Sequence, residues 1–129
     1  MSQHTLSPVE TVRAFMEAME VMDFERGLAL VSPACEYTNG ALGTVTGPEG
    51  ITAMLQPFFA PIRENKFIIH REAAAGATVF IERLDRHRLD SGWIELPVTG
   101  VFEVRDGRIA VWHDYFDFLT LEKQLAAAA

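Results

Sequence analysis

An arginine and an aspartate share one face of a predicted strand in the second half of the chain. Successive side chains of a strand point to opposite faces, so residues two apart lie on the same side of a sheet. Arg83 and Asp85 follow the apolar residues Val79 and Ile81 at this spacing. The pattern predicts that their common face points into the protein. Because buried charges are rare unless they are paired, we expect Arg83 and Asp85 to need each other and a further acid.

Asp114 is the natural further acid. It shares a face of the last predicted strand with three apolar side chains, those of Ala110, Trp112 and Phe116. In the first predicted strand, Tyr37 and Asn39 share a face with Cys35 and offer a phenol and an amide to the same interior. The sequence therefore predicts a cluster of two carboxylates, one guanidinium, a phenol and an amide.

Such a cluster is suited to acid and base catalysis with water. Two carboxylates held by one guanidinium can have pKa values that are pushed apart, so that one is a proton donor and the other a proton acceptor. A phenol and an amide can hold a water molecule against the base. The arrangement favours addition of water to a strained, electrophilic small molecule, and an epoxide is the simplest candidate.

Four helices are predicted from capping signals and apolar spacing. Ser7, Pro8 and Glu10 supply an N-cap, a proline at the first helical position and a capping box. Asp23 can cap a second helix, which Pro33 closes. The predicted helices span residues 8–22, 24–31, 47–60 with a disturbance at Pro57, and 119–125.

The rest of the chain has the pattern of strands. A glycine-rich loop is predicted at residues 40–47, and turn signals stand at Asp90-Ser91-Gly92 and Asp106-Gly107. The order predicts a single α+β domain over residues 1–129, with a curved mixed, mostly antiparallel sheet and helices packed into its concave face. The predicted strands span residues 35–39, 67–72, 78–87, 93–105 and 108–115.

Charge and cysteine content restrict the partners and the compartment. The 129 residues include 11 Lys and Arg against 18 Asp and Glu, and the net charge of −7 opposes binding to nucleic acid or to an anionic membrane. The single cysteine, Cys35, cannot form an internal disulfide, and residues 1–7 lack a signal-peptide pattern, so we expect a cytoplasmic protein. No metal is expected, because no ligand spacing links the histidines, His4, His70, His87 and His113.

In their order and spacing, the polar motifs resemble those of the limonene-1,2-epoxide hydrolase family. The similarity covers nearly the whole chain and rests on four segments, Tyr37–Asn39, Glu82–Asp85, Gly107–Ile109 and Trp112–Asp117. The resemblance implies a cone-shaped fold of the nuclear transport factor 2-like superfamily and a homodimer. It also implies hydrolysis of a small, largely apolar epoxide to a vicinal diol, with no cofactor and no covalent intermediate.

The resemblance implies a role for each polar residue of the cluster. Asp114 would be the general base that activates water, and Tyr37 and Asn39 would bind that water. Asp85 would be the general acid that protonates the epoxide oxygen. Arg83 would bridge the two carboxylates.

The resemblance leaves the shape of the substrate cavity open. The sequence departs from the family pattern at His87, which parity directs inward and which is expected near the rim, and in the loop at residues 40–47. Both departures leave the size of the substrate and the regiochemistry undetermined. Five large side chains are expected to pack in the core and to line the cavity: Met16, Met19, Met54, Trp112 and Phe116.

Other interpretations of the same residues are also open. Arg83, Asp85 and Asp114 could form a buried ion-pair network that only orders the fold. The fold could also carry a ketosteroid-isomerase-like or polyketide-cyclase-like enzyme that moves a proton with one aspartate. A non-catalytic domain that binds an apolar ligand is a further alternative. An isomerase would not need an arginine between two acids, and a binding domain would be stabilised by ligand without turnover.

Overall fold

The computed structural model describes residues 5–129, so His4 lies outside the described residues. The α-helices within this range are α1 (Pro8–Glu20), α2 (Phe24–Leu28), α3 (Gly47–Phe59) and α4 (Phe118–Ala128). The capping signals are confirmed: Ser7 and Glu10 form the capping box of α1, and the Asp23 side chain accepts a hydrogen bond from the Arg26 backbone N–H. Each cap satisfies backbone donors that the first helical turn leaves unpaired.

The strands within residues 5–129 form one six-stranded sheet in the order β2-β1-β6-β5-β4-β3. Most neighbours are antiparallel, and β1 pairs in parallel with β6. The predicted α+β class with a mixed, mostly antiparallel sheet is therefore confirmed. The strands are β1 (Val31–Asn39), β2 (Thr44–Thr46), β3 (Glu64–Ala75), β4 (Thr78–Leu89), β5 (Gly92–Arg105) and β6 (Arg108–Tyr115).

The core lies between the helices and one face of the sheet. α1 packs across β3, β4, β5 and β6, while α3 packs on β1 and α4 on β5. Val12 and Phe15 of α1, Ile51 of α3 and Phe102 of β5 are almost completely buried in this layer. Burial of each such side chain stabilises the fold by about 1.5–3 kcal/mol. Within residues 5–129, no helix has the length and hydropathy needed to cross a membrane.

Strand parity correctly predicts which side chains of β4 point inward. Val79, Ile81, Arg83, Asp85 and His87 are all buried, and the residues between them are more exposed. The expectation that His87 lies near the rim is wrong, because its side chain belongs to the interior and is 2% exposed. The inner face of β4 therefore changes from apolar at one end to charged and polar at the other.

The structure corrects the sequence prediction between α2 and α3. α2 ends at Leu28, a turn follows at Ala29 and Leu30, and Val31, the last residue predicted for the helix, already begins β1. Pro33 lies inside this strand, where pairing with β6 is irregular and the missing N–H of proline costs no ladder bond. The loop predicted at residues 40–47 contains a 3₁₀ turn, Gly40–Leu42, and the strand β2. Three residues are too few to give a periodicity signal.

Several later boundaries also differ from the prediction. β3 extends beyond residues 67–72 at both ends, since it pairs with β4 along almost its whole length. α4 continues to Ala128, beyond the predicted end at residue 125, consistent with the high helix propensity of alanine. The hairpin signal at Asp106-Gly107 is confirmed, as both residues have positive φ, 53° and 76°.

Candidate active site

Arg83 joins the two predicted carboxylates in the interior. Its Nε and Nη2 atoms donate to Asp85 at 2.8 and 3.2 Å, and its Nη1 and Nη2 atoms donate to Asp114 at 3.3 and 3.1 Å. The exposed fractions of Arg83, Asp85 and Asp114 are only 4%, 7% and 6%. One guanidinium therefore holds both acids in a region that is nearly closed to bulk water.

A glycine in β5 allows this contact. β5 lies between β4 and β6, and Gly100 pairs with Ile81 on one side and with Asp114 on the other. A Cβ at Gly100 would stand 2.7 Å from Arg83 Nη1 and 3.0 Å from Asp114 Oδ1. The absent side chain therefore leaves the space through which the guanidinium crosses β5. A lone glycine inside a long strand is the sequence signal for such a close approach, and our sequence analysis did not use it.

We expect Gly100→Ala to separate the arginine from Asp114. The added methyl group cannot fit beside Nη1, and displacement of catalytic groups by about 1 Å can lower a rate by about 10². The kcat of the purified variant should fall by about that factor. Val101→Ala, on the opposite face of the same strand, is the control and should keep the parental kcat. Equal kcat values for the two variants would contradict this role for the gap at Gly100.

An indole also holds Asp114. Trp112 Nε1 donates to Asp114 Oδ1 at 2.9 Å, in addition to the two Arg83 nitrogens. The Trp112 ring in turn stacks on the Tyr37 ring with centroids 3.7 Å apart. An ionised carboxylate only accepts hydrogen bonds, and three N–H donors facing Asp114 match that form. The sequence analysis placed Trp112 in the cavity wall but did not predict this hydrogen bond.

Tyr37 and Asn39 lie beside Asp114 because β1 and β6 run in parallel. Tyr37 pairs with Trp112, and Asn39 pairs with Asp114. Both side chains line the same cavity as the two carboxylates. Among residues 5–129, neither the Tyr37 hydroxyl nor the Asn39 amide has a hydrogen-bond partner within the protein. Their polar groups are therefore available to a molecule in the cavity.

Burial and the shared arginine set the protonation of the cluster. Burial raises the pKa of Asp85 above its usual range even though the Arg83 guanidinium opposes the shift. Burial alone would lower the pKa of Arg83, but the charges of Asp114 and Asp85 outweigh it and keep the guanidinium protonated. With both acids ionised, the cluster would have a charge of 1 − 2 = −1 in a water-poor region. A proton on Asp85 removes this excess charge.

The cavity that contains the cluster is mostly apolar. Together with its opening to solvent, it has a volume of about 710 Å³. The structure brings all of the predicted site residues to its wall: Met16, Met19, Tyr37, Asn39, Met54, Arg83, Asp85, Trp112, Asp114 and Phe116. Further apolar side chains from helices and strands complete the wall, among them Phe15, Leu42, Leu55, Phe58, Phe59, Phe67, Leu96, Val98 and Leu121.

The sequence analysis missed a polar pair at the edge of this cluster. His87 lines the cavity, and its Nδ1 atom lies 2.6 Å from the Oδ1 atom of Asn65 in the adjacent strand β3. Burial and the nearby Arg83 charge lower the pKa of His87 to about 4. The imidazole is therefore neutral at pH 7. Asn65 carries no local signal, because its partner is 22 residues away in the sequence.

Among the described residues, the thiol of Cys35 lies outside the cavity wall. Burial, with a smaller effect of Glu36, raises the pKa of the Cys35 thiol to about 11, so a reactive thiolate is disfavoured. Within residues 5–129, no group of three His, Cys, Asp or Glu side chains is placed to hold a metal ion. The chemistry available in the cavity is proton transfer by carboxylates with one guanidinium between them.

The chain has the α+β fold of nuclear transport factor 2-like and ketosteroid-isomerase-like proteins. Several solved structures share this fold. A protein from Catenulispora acidiphila with a ketosteroid isomerase-like fold aligns with a TM-score of 0.78 and 23% identity, over 89% of this chain and 91% of that chain. A SnoaL-like protein from Shewanella putrefaciens aligns with a TM-score of 0.83 at 17% identity, over 93% of this chain and 96% of that chain. At such identities the likeness is one of fold.

Sequence similarity identifies the family within this class. Residues 6–127 match the limonene-1,2-epoxide hydrolase catalytic domain. Epoxide hydrolase EphG of Mycobacterium tuberculosis is 35% identical over 115 residues, which cover 88% of this chain and 76% of EphG. The structure of an LEH-like epoxide hydrolase from M. tuberculosis aligns with a TM-score of 0.80 and 31% identity, over 96% of this chain and 92% of that chain. The chain belongs to the limonene-1,2-epoxide hydrolase family, as the resemblance of its motifs predicts.

Proposed function

We propose that this epoxide hydrolase adds water to a small, largely apolar epoxide in one step and releases a vicinal diol. Asp114 takes a proton from water, and the water oxygen attacks one epoxide carbon. As that carbon–oxygen bond breaks, Asp85 gives its proton to the departing oxygen. The charge of the cluster is the same before and after the step, because one carboxylate gains a proton and the other loses one. Proton exchange with solvent then restores the starting state.

The position of the attacking water follows from the groups around Asp114. The Asp114 carboxylate, the Tyr37 hydroxyl and the Asn39 amide all face the cavity at the β1–β6 side of the sheet. A water molecule there can donate to the carboxylate and to one neighbour while it accepts from the other. This arrangement orients an oxygen lone pair toward the cavity, where the epoxide carbon would lie.

Asp85 is suited to the opposite role. It lies on β4, so Arg83 separates it from Asp114 and the acid is kept away from the base. Burial raises the pKa of Asp85, which favours the protonated form that can donate to an epoxide oxygen. Asp114 can therefore activate water on one side of the substrate while Asp85 protonates the epoxide oxygen on the other.

The bridge from Arg83 to both carboxylates is the observation that carries this proposal. A proton transfer that uses only one base would not need Asp85, and burying this second acid costs free energy of desolvation. The test is a product assay with limonene oxide and cyclohexene oxide, analysed by chiral gas chromatography. A vicinal diol formed in proportion to enzyme is the expected product. An isomeric ketone or allylic alcohol without diol would contradict the proposal, and so would no reaction with either epoxide.

We also propose that the enzyme works as a homodimer in the cytoplasm, with no cofactor. The outer face of the sheet carries two apolar pairs, exposed Phe80 of β4 beside Val101 and exposed Ile68 of β3 beside Leu84, with the Arg71–Glu82 ion pair between them. Apolar side chains grouped on one sheet face are typical of an interface between subunits. Cys35 is buried and unpaired, which agrees with a reducing compartment.

Phe80→Glu should therefore convert the dimer to a monomer. A carboxylate placed at the centre of an apolar interface loses its hydration without a partner. Size-exclusion chromatography with light scattering should give the mass of two chains for the parent and one chain for the variant. Leu119→Glu, at an exposed apolar position on α4, is the matched control and should stay dimeric. A parent with the mass of one chain would contradict the proposed dimer.

A further inference from the structure

His87 is a buried polar group that the proposed reaction does not use. It lies two residues beyond Asp85 on the inner face of β4 and lines the same cavity. The edges and faces of three phenylalanine rings surround it, those of Phe58, Phe59 and Phe67, with centroids 5.0, 6.3 and 6.2 Å from the imidazole. An imidazole in such an apolar wall is costly unless its two nitrogens are used.

The hydrogen bonds around His87 fix which nitrogen carries the proton. Asn65 Nδ2 donates to the Glu20 backbone carbonyl at 3.4 Å, so Asn65 Oδ1 is the atom that faces His87. If the Asn65 amide were rotated by 180°, its oxygen would face the Glu20 carbonyl oxygen, and neither atom can donate. Because Asn65 Oδ1 can only accept, the proton of the neutral imidazole lies on Nδ1. Nε2 of His87 is therefore a hydrogen-bond acceptor.

This acceptor opens to the cavity. Among residues 5–129, the one buried side-chain oxygen or nitrogen without a partner is Thr11 Oγ1. Among the described residues, His87 Nε2 has no hydrogen-bond partner, and it is not one of the buried atoms without a partner, so the atom retains some accessible surface. The surface that His87 lines is that of the cavity. The lowered pKa of His87, about 4, keeps Nε2 unprotonated over the neutral range. A hydrogen-bond donor from a bound molecule can satisfy it.

We propose that His87 is a specificity-determining residue that accepts a hydrogen bond from a hydroxyl group of the substrate. The inference rests on the proposed epoxide hydrolysis and narrows its substrate class to apolar epoxides that carry one hydroxyl group distant from the epoxide ring. Side chains two residues apart on a strand are separated by roughly 6.6 Å. The hydroxyl should therefore lie at roughly that distance from the epoxide oxygen that Asp85 protonates. An epoxide without a hydroxyl group would shield Nε2 from water and give it no donor. The enzyme should therefore bind the transition state of such an epoxide less tightly.

Three epoxides with the same ring separate this proposal from simple apolar binding. They are the 1,2-epoxides of α-terpineol, of its methyl ether and of p-menth-1-ene, which present a hydroxyl, an ether oxygen that cannot donate, and no oxygen at the distal position. For the parent enzyme, kcat/KM for the hydroxy epoxide should exceed that for the methyl ether by about tenfold. His87→Leu should bring this ratio close to one while the p-menthene epoxide is still hydrolysed. His87→Gln, whose amide oxygen can accept, should retain part of the preference.

The outcomes distinguish this inference from the proposed function. A parent that hydrolyses all three epoxides without preferring the hydroxy compound would overturn the inference and leave the hydrolase activity standing. An unchanged preference in His87→Leu would also overturn it. If the parent hydrolyses none of the three, the proposed function fails and the inference fails with it. The comparison of substrates on the parent enzyme needs no variant, so it can overturn the inference even if His87→Leu does not fold, and His87→Gln then supplies the variant.

Discussion

Replacing Asp114 with asparagine is expected to lower kcat by a factor of about 10²–10⁴, the range that a positioned general base contributes. The amide oxygen can still accept from Trp112 Nε1 and Arg83 Nη1, while the amide nitrogen loses the bond from Arg83 Nη2. The amide cannot take a proton from water. The measurement is the initial rate of diol formation at saturating limonene oxide. Circular dichroism and thermal unfolding establish that the variant is folded.

Asp106→Asn is the matched control for this substitution. Asp106 is an exposed aspartate in the β5–β6 turn, at φ 53°, a conformation that asparagine also adopts readily. This variant loses the same charge from the same chain and should keep the parental kcat. A folded Asp114→Asn variant within roughly threefold of the parent would show that Asp114 is not the base.

Replacing Asp85 with asparagine is expected to have an effect of similar size, about 10²–10⁴ in kcat, with a different pH dependence. Burial raises the pKa of Asp85, and the protonated acid is the active form. The parental rate should therefore fall as the pH rises through the pKa of Asp85. Asparagine has no proton to lose in this range, so the residual activity of the variant should lack this alkaline fall. The measurement is the pH profile of kcat for both proteins.

A structural role for Asp85 would give another result. If Asp85 only neutralised Arg83, asparagine would lower the melting temperature but leave the rate and the alkaline limb of the folded protein as in the parent. Measuring kcat per folded protein, below the melting temperature of the variant, distinguishes the catalytic role of Asp85 from the structural one. The Asp106→Asn control should reproduce the parental pH profile in the same buffers.

Much of the site could be predicted from the sequence because one face of the sheet is buried. Alternation along β4 places Arg83 and Asp85 on the face of Val79 and Ile81, and burial forces that face inward. With an arginine and an aspartate inside, a further acid is expected on a neighbouring strand, and Asp114 is the acid that alternates with apolar residues. Local rules of pleat and burial are sufficient for this conclusion.

The remaining features depend on contacts between distant segments. The gap at Gly100 has meaning only when β5 lies between β4 and β6 in the observed register. The pair of His87 and Asn65 depends likewise on the alignment of β3 with β4. Strand β2 is three residues long and is stabilised by pairing with β1 rather than by its own pattern. The register between strands depends on the whole fold, so local sequence patterns do not predict the gap at Gly100, the His87–Asn65 pair or strand β2.

The most direct test of the account is the origin of the oxygen that water adds. A single turnover is run in oxygen-18 water with the enzyme in excess over limonene oxide, and both the diol and the peptide that contains Asp114 are analysed by mass spectrometry. Direct attack by water activated at Asp114 predicts one labelled oxygen in the diol and none in the Asp114 carboxylate. An unlabelled diol together with label in Asp114 would mean that this carboxylate attacks the epoxide itself, and it would contradict the one-step addition of water.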